Sequence, residues 1–120
     1  MYCFKKCEKL RKNQEFQAVY KEGRSLANRM LVLYVLPIEG TERKVGISVS
    51  KRLGCAVVRN RCKRLLREAF RLNRNFLKTG VQLVFICRKP MVGSHYEAVA
   101  ESFRHICRKS KVWQTGGEES

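Results

Sequence analysis

The sequence has no aspartate, and all ten of its acidic residues are glutamates. A nuclease that works with its own side chains needs clustered carboxylates for metal ions, or paired histidines for acid and base catalysis. Here only Glu97 and Glu101 are helical neighbours, and the two histidines, His95 and His105, are ten positions apart. The sequence therefore argues against a self-sufficient enzyme, and we predict no catalytic residue.

Long apolar runs are also missing. The longest one, residues 30–36, is far too short to span a bilayer. Residues 1–9 carry charges with no apolar run behind them, which is unlike a signal peptide. We therefore expect a cytoplasmic protein that does not enter a membrane.

No two of the six cysteines have the CxxC spacing of a common zinc site. In a reducing compartment, such cysteines are expected to be free thiols that pack as small apolar residues. We predict no metal bound by the protein. The sequence assigns no role to the six cysteines, which are Cys3, Cys7, Cys55, Cys62, Cys87 and Cys107.

Positive charge, in contrast, is abundant. The 26 lysines and arginines give the chain a formal net charge of +16. This charge exceeds what solubility requires and indicates a polyanionic partner, with nucleic acid first and an acidic membrane second. Six Phe, four Tyr and one Trp offer stacking surfaces that a purely electrostatic membrane binder would not need. Nucleic acid is therefore the favoured partner.

Half of the net charge lies in residues 51–74, which contain nine Lys or Arg and a single Glu. From Ala56 onward, apolar residues recur at the spacing of a half-buried helix. They are Val58, Cys62, Leu65, Leu66, Ala69 and Phe70. The opposite arc is basic, and an ordinary solvated helix would mix charges of both signs on that face. The segment therefore predicts a helix that faces an anionic partner, preceded by a tight turn at Gly54.

The remaining pattern predicts one small α+β domain, a sandwich of a mixed sheet with packed helices. Asn13 and Gly23 are the expected caps of a first helix, and Ser94 is the expected cap of a last helix that ends near residue 109. Strands are expected at residues 31–36, 44–50 and 81–88, the last of them central. Residues 25–30 are expected to form a polar connection, and residues 39–42 a hairpin turn. Residues 1–8 are expected to be a flexible lead-in, 9–113 a single RNA-binding domain and 114–120 a disordered tail.

Three further patterns leave alternatives open. Phe16 and Tyr20 are one helical turn apart, and composition alone favours a place in the core for both. Tyr34 lies in a strand that is apolar on both faces, so it is compatible with either the core or a cleft. In strand 44–50, Gly46, Ser48 and Ser50 alternate with apolar residues, and the two serines either face solvent or form the floor of a groove.

The basic segment closely resembles the signature of the bacterial ribonuclease P protein subunit. The matching pattern is Lys51-x-x-Gly54-x-Ala56-Val57-x-Arg59-Asn60-Arg61-x-Lys63-Arg64-x-x-Arg67-Glu68, and the likeness extends from about Leu10 to Lys109. The resemblance implies the element order α-β-β-(β)-α-β-α with a left-handed βαβ crossover, as in the ribosomal-protein domain-2-like fold. It also implies an endonuclease in which an RNA subunit, with Mg²⁺, removes the 5′ leader of precursor tRNA.

The resemblance implies the site residues as well. Those expected to face the catalytic RNA are Ser50, Lys51, Arg52, Arg59, Asn60, Arg61, Lys63, Arg64 and Arg67. Those expected to meet the single-stranded leader are Lys12, Phe16, Tyr20, Asn28 and Tyr34. One protein per RNA is expected, with Mg²⁺ held through the RNA. The alternative is a ribosomal or general RNA-chaperone protein of the same fold, which would have the basic patch without a leader groove.

Overall fold

The computed structural model describes residues 13–40 and 43–113. Its helices and strands are α1 (Asn13–Glu22), β1 (Arg24–Ala27), β2 (Leu31–Pro37), β3 (Arg43–Ser48), α2 (Ala56–Asn73), β4 (Val81–Cys87) and α3 (Tyr96–Lys109). Short 3-10 turns lie at Lys51–Leu53, Arg74–Phe76 and Lys89–Met91. The predicted lead-in and tail fall outside the described residues, as do Lys12, Cys3 and Cys7.

The four strands form one mixed sheet in the order β1-β2-β4-β3. The pairs β1–β2 and β2–β4 are antiparallel, whereas β3 and β4 are parallel and are joined through α2. The α+β class, the element order and the internal position of β4 are therefore confirmed. The left hand of the βαβ crossover stays an expectation drawn from the resemblance.

The prediction of a hairpin turn at residues 39–42 is wrong. The strands on either side of it, β2 and β3, are not neighbours, because β4 lies between them. The backbone N–H of Ile38, just after β2, donates to the carbonyl of Gly80, just before β4, at 2.9 Å. β4 is strongly apolar and pairs on both of its edges, so it lies in the interior of the sheet. No local pattern in residues 39–42 indicates this arrangement.

The segment predicted as a polar connection at residues 25–30 is partly a strand. Strand β1 is four residues long, pairs only with β2 and lies at the edge of the sheet. Three of its four side chains are exposed, so it shows almost no hydrophobic alternation. Its structure comes from backbone pairing with β2, for which the sequence of β1 carries little signal.

The sheet is the middle of three layers. On one face, α2 and α3 cover the main core, which includes Leu66 of α2, Phe85 of β4 and Phe103 of α3. On the other face, α1 packs against β2 and β4 and fully buries Val19 and Val84. Both faces of β2 are therefore covered, as its two apolar sides predicted. Within the described residues, no helix combines the length and apolar character needed to cross a membrane.

Two of the three predicted helix caps, Gly23 and Ser94, have different roles in the structure. Gly23 follows α1, and its N–H donates to the Val19 carbonyl at 2.9 Å. A Cβ added at Gly23 would lie 2.8 Å from the Val35 carbonyl oxygen, so glycine is required by the close approach of α1 to β2. Ser94 does not cap α3, which begins at Tyr96 after His95. Its hydroxyl instead donates to the Pro90 carbonyl at 3.2 Å and closes the preceding turn.

Candidate nucleic-acid interface

Helix α2 separates its apolar and basic residues as predicted. Cys62, Leu66, Ala69 and Phe70 are buried against the rest of the core. The opposite side is what we call the basic face, and it consists of Arg59, Asn60, Arg61, Lys63, Arg64 and Arg67. Three of these six side chains are exposed and three are half-buried, so none is covered by the hydrophobic interior.

The charge of the basic face is almost uncompensated. The one carboxylate of α2, Glu68, accepts two hydrogen bonds from Arg71, at 2.6 and 3.0 Å. These hydrogen bonds lower the pKa of Glu68 from its ordinary value. Among the described residues, neither Glu68 nor any other carboxylate forms an ion pair with a residue of the basic face. The face therefore remains available to an anionic ligand.

Two arginines of the basic face are oriented by the protein backbone. Arg59 donates from Nε to the Gly54 carbonyl at 3.2 Å, and Arg61 donates to the Ser94 carbonyl at 3.0 Å. Each guanidinium uses one N–H in this way and keeps several others. The anchored groups are therefore restricted in position before any ligand binds, which lowers the entropy cost of contacting phosphate.

The basic face continues into the turn that precedes α2. Ser50, Lys51 and Arg52 are all exposed, and the Ser50 hydroxyl accepts a hydrogen bond from the Arg52 backbone N–H at 3.1 Å. Gly54 has φ +150°, and an added Cβ would lie 3.0 Å from the Val58 side chain. The predicted tight turn at Gly54 is thus present, and it joins the end of β3 to the start of the basic helix.

On the other side of the sheet, three rings form what we call the aromatic cluster: Phe16, Tyr20 and Tyr34. The Tyr20 and Tyr34 rings meet edge to face at 5.1 Å between centroids, and Phe16 lies 6.3 Å from Tyr20. All three are half-buried. The rings pack on the small core under α1, while part of each ring stays accessible. The three residues therefore belong both to the core and to the surface.

Beside the aromatic cluster, the sheet surface is low. Gly46 and Ser48 of β3 lie next to Val84 and Ile86 of β4 in the register of the parallel pair. Helix α1 packs mainly on β2 and β4, so this strip over β3 lies beside α1. Gly46 is buried, Ser48 is half-buried and Ser50 is exposed, so the strip becomes more accessible toward the end of β3. The strip leads along β3 toward the turn that begins the basic face.

Asn28 does not join the aromatic cluster. Its amide N–H₂ group lies 3.0 Å from the Ser102 carbonyl and 3.2 Å from Nδ1 of His105, both on α3. Its amide oxygen accepts from the backbone N–H groups of Met30 and Leu31. The side chain is thus engaged in holding the β1–β2 connection against α3, on the face of the sheet opposite α1. The structure gives no support to the expected contact between Asn28 and the leader.

The described cysteines divide into buried and exposed thiols. Cys62, Cys87 and Cys107 are buried, which confirms their packing as small apolar residues. Burial, together with the neighbouring Cys62, raises the pKa of Cys87 to about 12. Cys55 is exposed at the first turn of α2, where backbone hydrogen bonds from Val58 and Val57 lower its pKa. The exposed thiol therefore lies next to the basic face.

One pair of aromatic residues that lies outside both predicted surfaces was not predicted from the sequence to come together. Phe76 and Trp113 stack at 5.2 Å between ring centroids, and the guanidinium of Arg108 lies 5.0 Å from the Trp113 ring. Trp113 also pairs with Leu77 in an isolated bridge, which joins the segment after α3 to the segment after α2. Phe76 and Trp113 are 37 positions apart in the sequence, so no local pattern indicated the stack.

A mixed sheet with an exposed basic helix on one face and accessible aromatic rings on the other defines a small α+β protein that binds RNA. The comparisons with known proteins make the assignment specific. The chain belongs to the ribonuclease P protein family, since the family model described as Ribonuclease P matches residues 4–111.

Relatives and solved structures agree with this assignment. The ribonuclease P protein component of an Exiguobacterium species is 49% identical, over 94% of this chain and 98% of the relative. That of Shouchella clausii is 48% identical, over 90% and 89%. The Staphylococcus aureus RNase P protein superposes with a TM-score of 0.84 and 35% identity, over 91% of this chain and 100% of the other. The Thermotoga maritima protein gives 0.79 and 30%, over 85% and 96%.

These likenesses favour a ribonuclease P protein component over the alternative of a ribosomal or general RNA-chaperone protein. The chain is therefore a component of a ribonucleoprotein that processes tRNA.

Proposed function

We propose that the chain binds the RNA subunit of ribonuclease P through the basic face and the 5′ leader of precursor tRNA through the aromatic cluster. The observation that carries the proposal is the placement of these two surfaces. The basic face presents cations without carboxylate partners among the described residues, and the half-buried rings lie on the opposite face of the same sheet. The exposed turn at residues 50–52 and the low strip over β3 connect them.

The basic face suits a folded RNA. Contacts between Lys or Arg and phosphate release condensed counterions, and this term supplies much of the affinity of proteins for nucleic acid. Such contacts position the protein without reading sequence. The backbone anchors of Arg59 and Arg61 fix two donors at the start of α2, so an RNA helix docked there would be held in one orientation.

The aromatic cluster suits a single strand of variable sequence. Every base has a π-face, so stacking on Phe16, Tyr20 or Tyr34 tolerates any nucleotide. A leader that differs from one precursor tRNA to the next requires this tolerance. Ser48 and Ser50 supply hydroxyls along the strip over β3, where a strand that leaves the cluster would pass.

We propose that the RNA subunit carries out phosphodiester hydrolysis and holds the Mg²⁺ ions. Two points support this proposal: the described residues contain no group of three His, Cys or Glu side chains placed to hold a metal ion, and Mg²⁺ is commonly held by phosphate oxygens and water with few protein ligands. The role of the protein is to bind both strands and to reduce the repulsion between their phosphates. We further propose a complex of one protein per RNA, in the cytoplasm.

Reconstitution tests this function. Ribonuclease P RNA from the same cell is combined with the wild-type chain, and 5′ processing is measured with precursor and mature tRNA in parallel. A double variant, Phe16→Ala with Tyr20→Ala, should keep its affinity for the RNA subunit while losing roughly 1 to 3 kcal/mol of precursor binding per unstacked base. Shortening the leader should remove the difference between variant and wild type.

The matched control is Phe103→Leu, which changes a buried aromatic of the main core on the opposite face of the sheet. It should affect thermal stability without altering the preference for precursor over mature tRNA. Equal binding of precursor and mature tRNA by the wild-type complex would exclude the leader role. Cleavage by the purified protein after removal of all RNA would exclude catalysis by the RNA subunit.

A further inference from the structure

The stack of Phe76, Trp113 and Arg108 lies apart from both surfaces described above. Phe76 belongs to the turn that follows α2, and Trp113 follows α3. The two rings are nearly parallel, with 19° between their planes. Arg108 lies over the Trp113 ring, so the Trp113 side chain contacts both a ring and a cation.

Phe76 is exposed in a way that packing does not require. It keeps 40% of its surface accessible, and Leu72, one turn earlier on α2, keeps 52%. Burial of such side chains normally contributes to stability, and adjacent exposed apolar residues commonly mark a binding surface. The accessible surface of Phe76 is an aromatic ring already stacked on another ring, an arrangement to which a nucleic-acid base can add.

The surroundings of the stack are cationic. Lys78, Arg108 and Lys111 are all exposed, and the N–H of Lys78 donates to the Val112 carbonyl next to Trp113, at 2.8 Å. Three positive charges around an exposed aromatic surface disfavour a second copy of the same chain. They favour a partner that combines negative charge with flat apolar rings, which is the chemistry of single-stranded nucleic acid.

The stack also lies at the end of the exposed side of α2. Apart from Ala56 at its first position, the exposed residues of the helix recur at about whole helical turns, and they are Val57, Asn60, Arg61, Arg64, Arg71 and Leu72. That spacing places them on one side of the helix, over about 22 Å at the usual rise per residue. RNA bound along this side would therefore arrive at Phe76.

We propose that Phe76, supported by Trp113 and Arg108, is a second stacking site, which takes an unpaired base of the ribonuclease P RNA bound along α2. This inference rests on the proposed function, because it requires RNA on the basic face. It adds a separate contact at the opposite end of α2 from Arg59. The aromatic cluster under α1 is on the other face of the sheet and is not involved.

The experiment compares Phe76→Leu with Phe76→Tyr as its matched control. Leucine keeps the apolar bulk and removes the π-face, whereas tyrosine keeps both. Affinity is measured for the ribonuclease P RNA and, in parallel, for heparin, a polyanion without bases. Phe76→Leu should weaken RNA binding by about 10-fold and leave heparin binding unchanged. Phe76→Tyr should stay within about 2-fold of the wild type.

A second readout uses Trp113, which is the single tryptophan of the chain. RNA should change its fluorescence in the wild type and in Phe76→Tyr, and the change should be much smaller in Phe76→Leu. Ultraviolet crosslinking, mapped by reverse-transcription stops, should place Phe76 or Trp113 at an unpaired nucleotide. Thermal unfolding of each variant shows whether a loss of binding comes from loss of fold.

The outcomes separate this inference from the proposed function. Failure of the wild type to bind the ribonuclease P RNA overturns both. Normal RNA binding by wild type and Phe76→Leu alike overturns the stacking site alone. A change of oligomeric state in Phe76→Leu, without loss of RNA affinity, assigns the surface to a second copy. If deletion of residues 114–120 alters Trp113 fluorescence and Phe76→Leu does not alter RNA binding, the occupant is the end of the chain itself.

Discussion

Glu15 on α1 and Lys44 on β3 form an ion pair, with 3.3 Å between the carboxylate Oε2 and Nζ. Each side chain keeps less than a third of its surface accessible. The pair connects α1 to the edge strand of the sheet, although the helix packs mainly on β2 and β4. It therefore helps to set the position of Phe16, the next residue of α1, relative to the low strip over β3.

Breaking this pair should loosen α1 and weaken leader binding. For Lys44→Met we expect a loss of about 0.5 to 1 kcal/mol in unfolding free energy, the usual scale for a partly exposed ion pair. A double-mutant cycle with Glu15→Gln, followed by urea unfolding, isolates the coupling between the two side chains. The preference for precursor over mature tRNA should fall in parallel. Coupling near zero would show that the two side chains do not hold α1 in place.

The salt dependence of RNA binding should identify the basic face. Replacing Arg64 by Gln should reduce the slope of log affinity against log salt by about 0.7 to 0.9, the value for one phosphate contact. The control is Arg104→Gln, which removes a charge from α3 and keeps the same net charge as the first variant. Binding is measured across a salt titration with the ribonuclease P RNA. Equal slopes for the two variants would mean that only net charge matters.

Thiol reactivity should follow the burial of the cysteines. In a background with Cys3→Ser and Cys7→Ser, iodoacetamide at neutral pH should modify Cys55 first, because Cys55 is exposed and its pKa is lowered. Cys62, Cys87 and Cys107 should react only after unfolding, as burial hides them. Mass spectrometry of peptides from a time course gives the order. Bound ribonuclease P RNA should slow the modification of Cys55, and an unchanged rate would place the RNA away from the start of α2.

The raised pKa of Cys87 also predicts a dependence of stability on alkaline pH. The folded state holds this thiol protonated up to about pH 12, whereas the unfolded chain releases the proton near the ordinary value. The contribution of this thiol to the free energy of unfolding is therefore complete at neutral pH. It is lost progressively as the pH rises from the ordinary pKa of cysteine toward about 12. Urea unfolding at pH 8 and pH 10 should show a larger loss for the wild type than for Cys87→Ala.

The core under α2 should tolerate truncation poorly. Leu66 is fully buried, and Leu66→Ala should cost about 2 to 5 kcal/mol of unfolding free energy. Leu72→Ala, which truncates the same residue type on the exposed side of the same helix, should cost far less. Thermal and urea unfolding measure both variants. Similar losses would contradict the division of α2 into a buried and an exposed side.

Local patterns alone were sufficient to predict α2, its buried stripe and its basic face. The spacing of Cys62, Leu66 and Phe70 is read within one helix, and the excess of positive charge needs no knowledge of neighbours. The internal position of β4 was also predicted from its local pattern, because a strand that is apolar on both faces must be covered on both faces. The signature of the family also lies in this one continuous stretch, within a likeness that extends from about Leu10 to Lys109.

Tertiary structure decided the features that depend on distant partners. The insertion of β4 between β2 and β3 overturned the predicted hairpin turn, and backbone pairing made a strand of the nearly featureless residues 24–27. The side chain of Asn28 is held against α3, because the carbonyl of Ser102, 74 positions away, accepts its hydrogen bond. The sequence by itself determined which residues are basic, apolar or aromatic and how each helix is sided. Only long-range packing determined which of them meet, because those contacts join segments whose spacing along the chain carries no periodic signal.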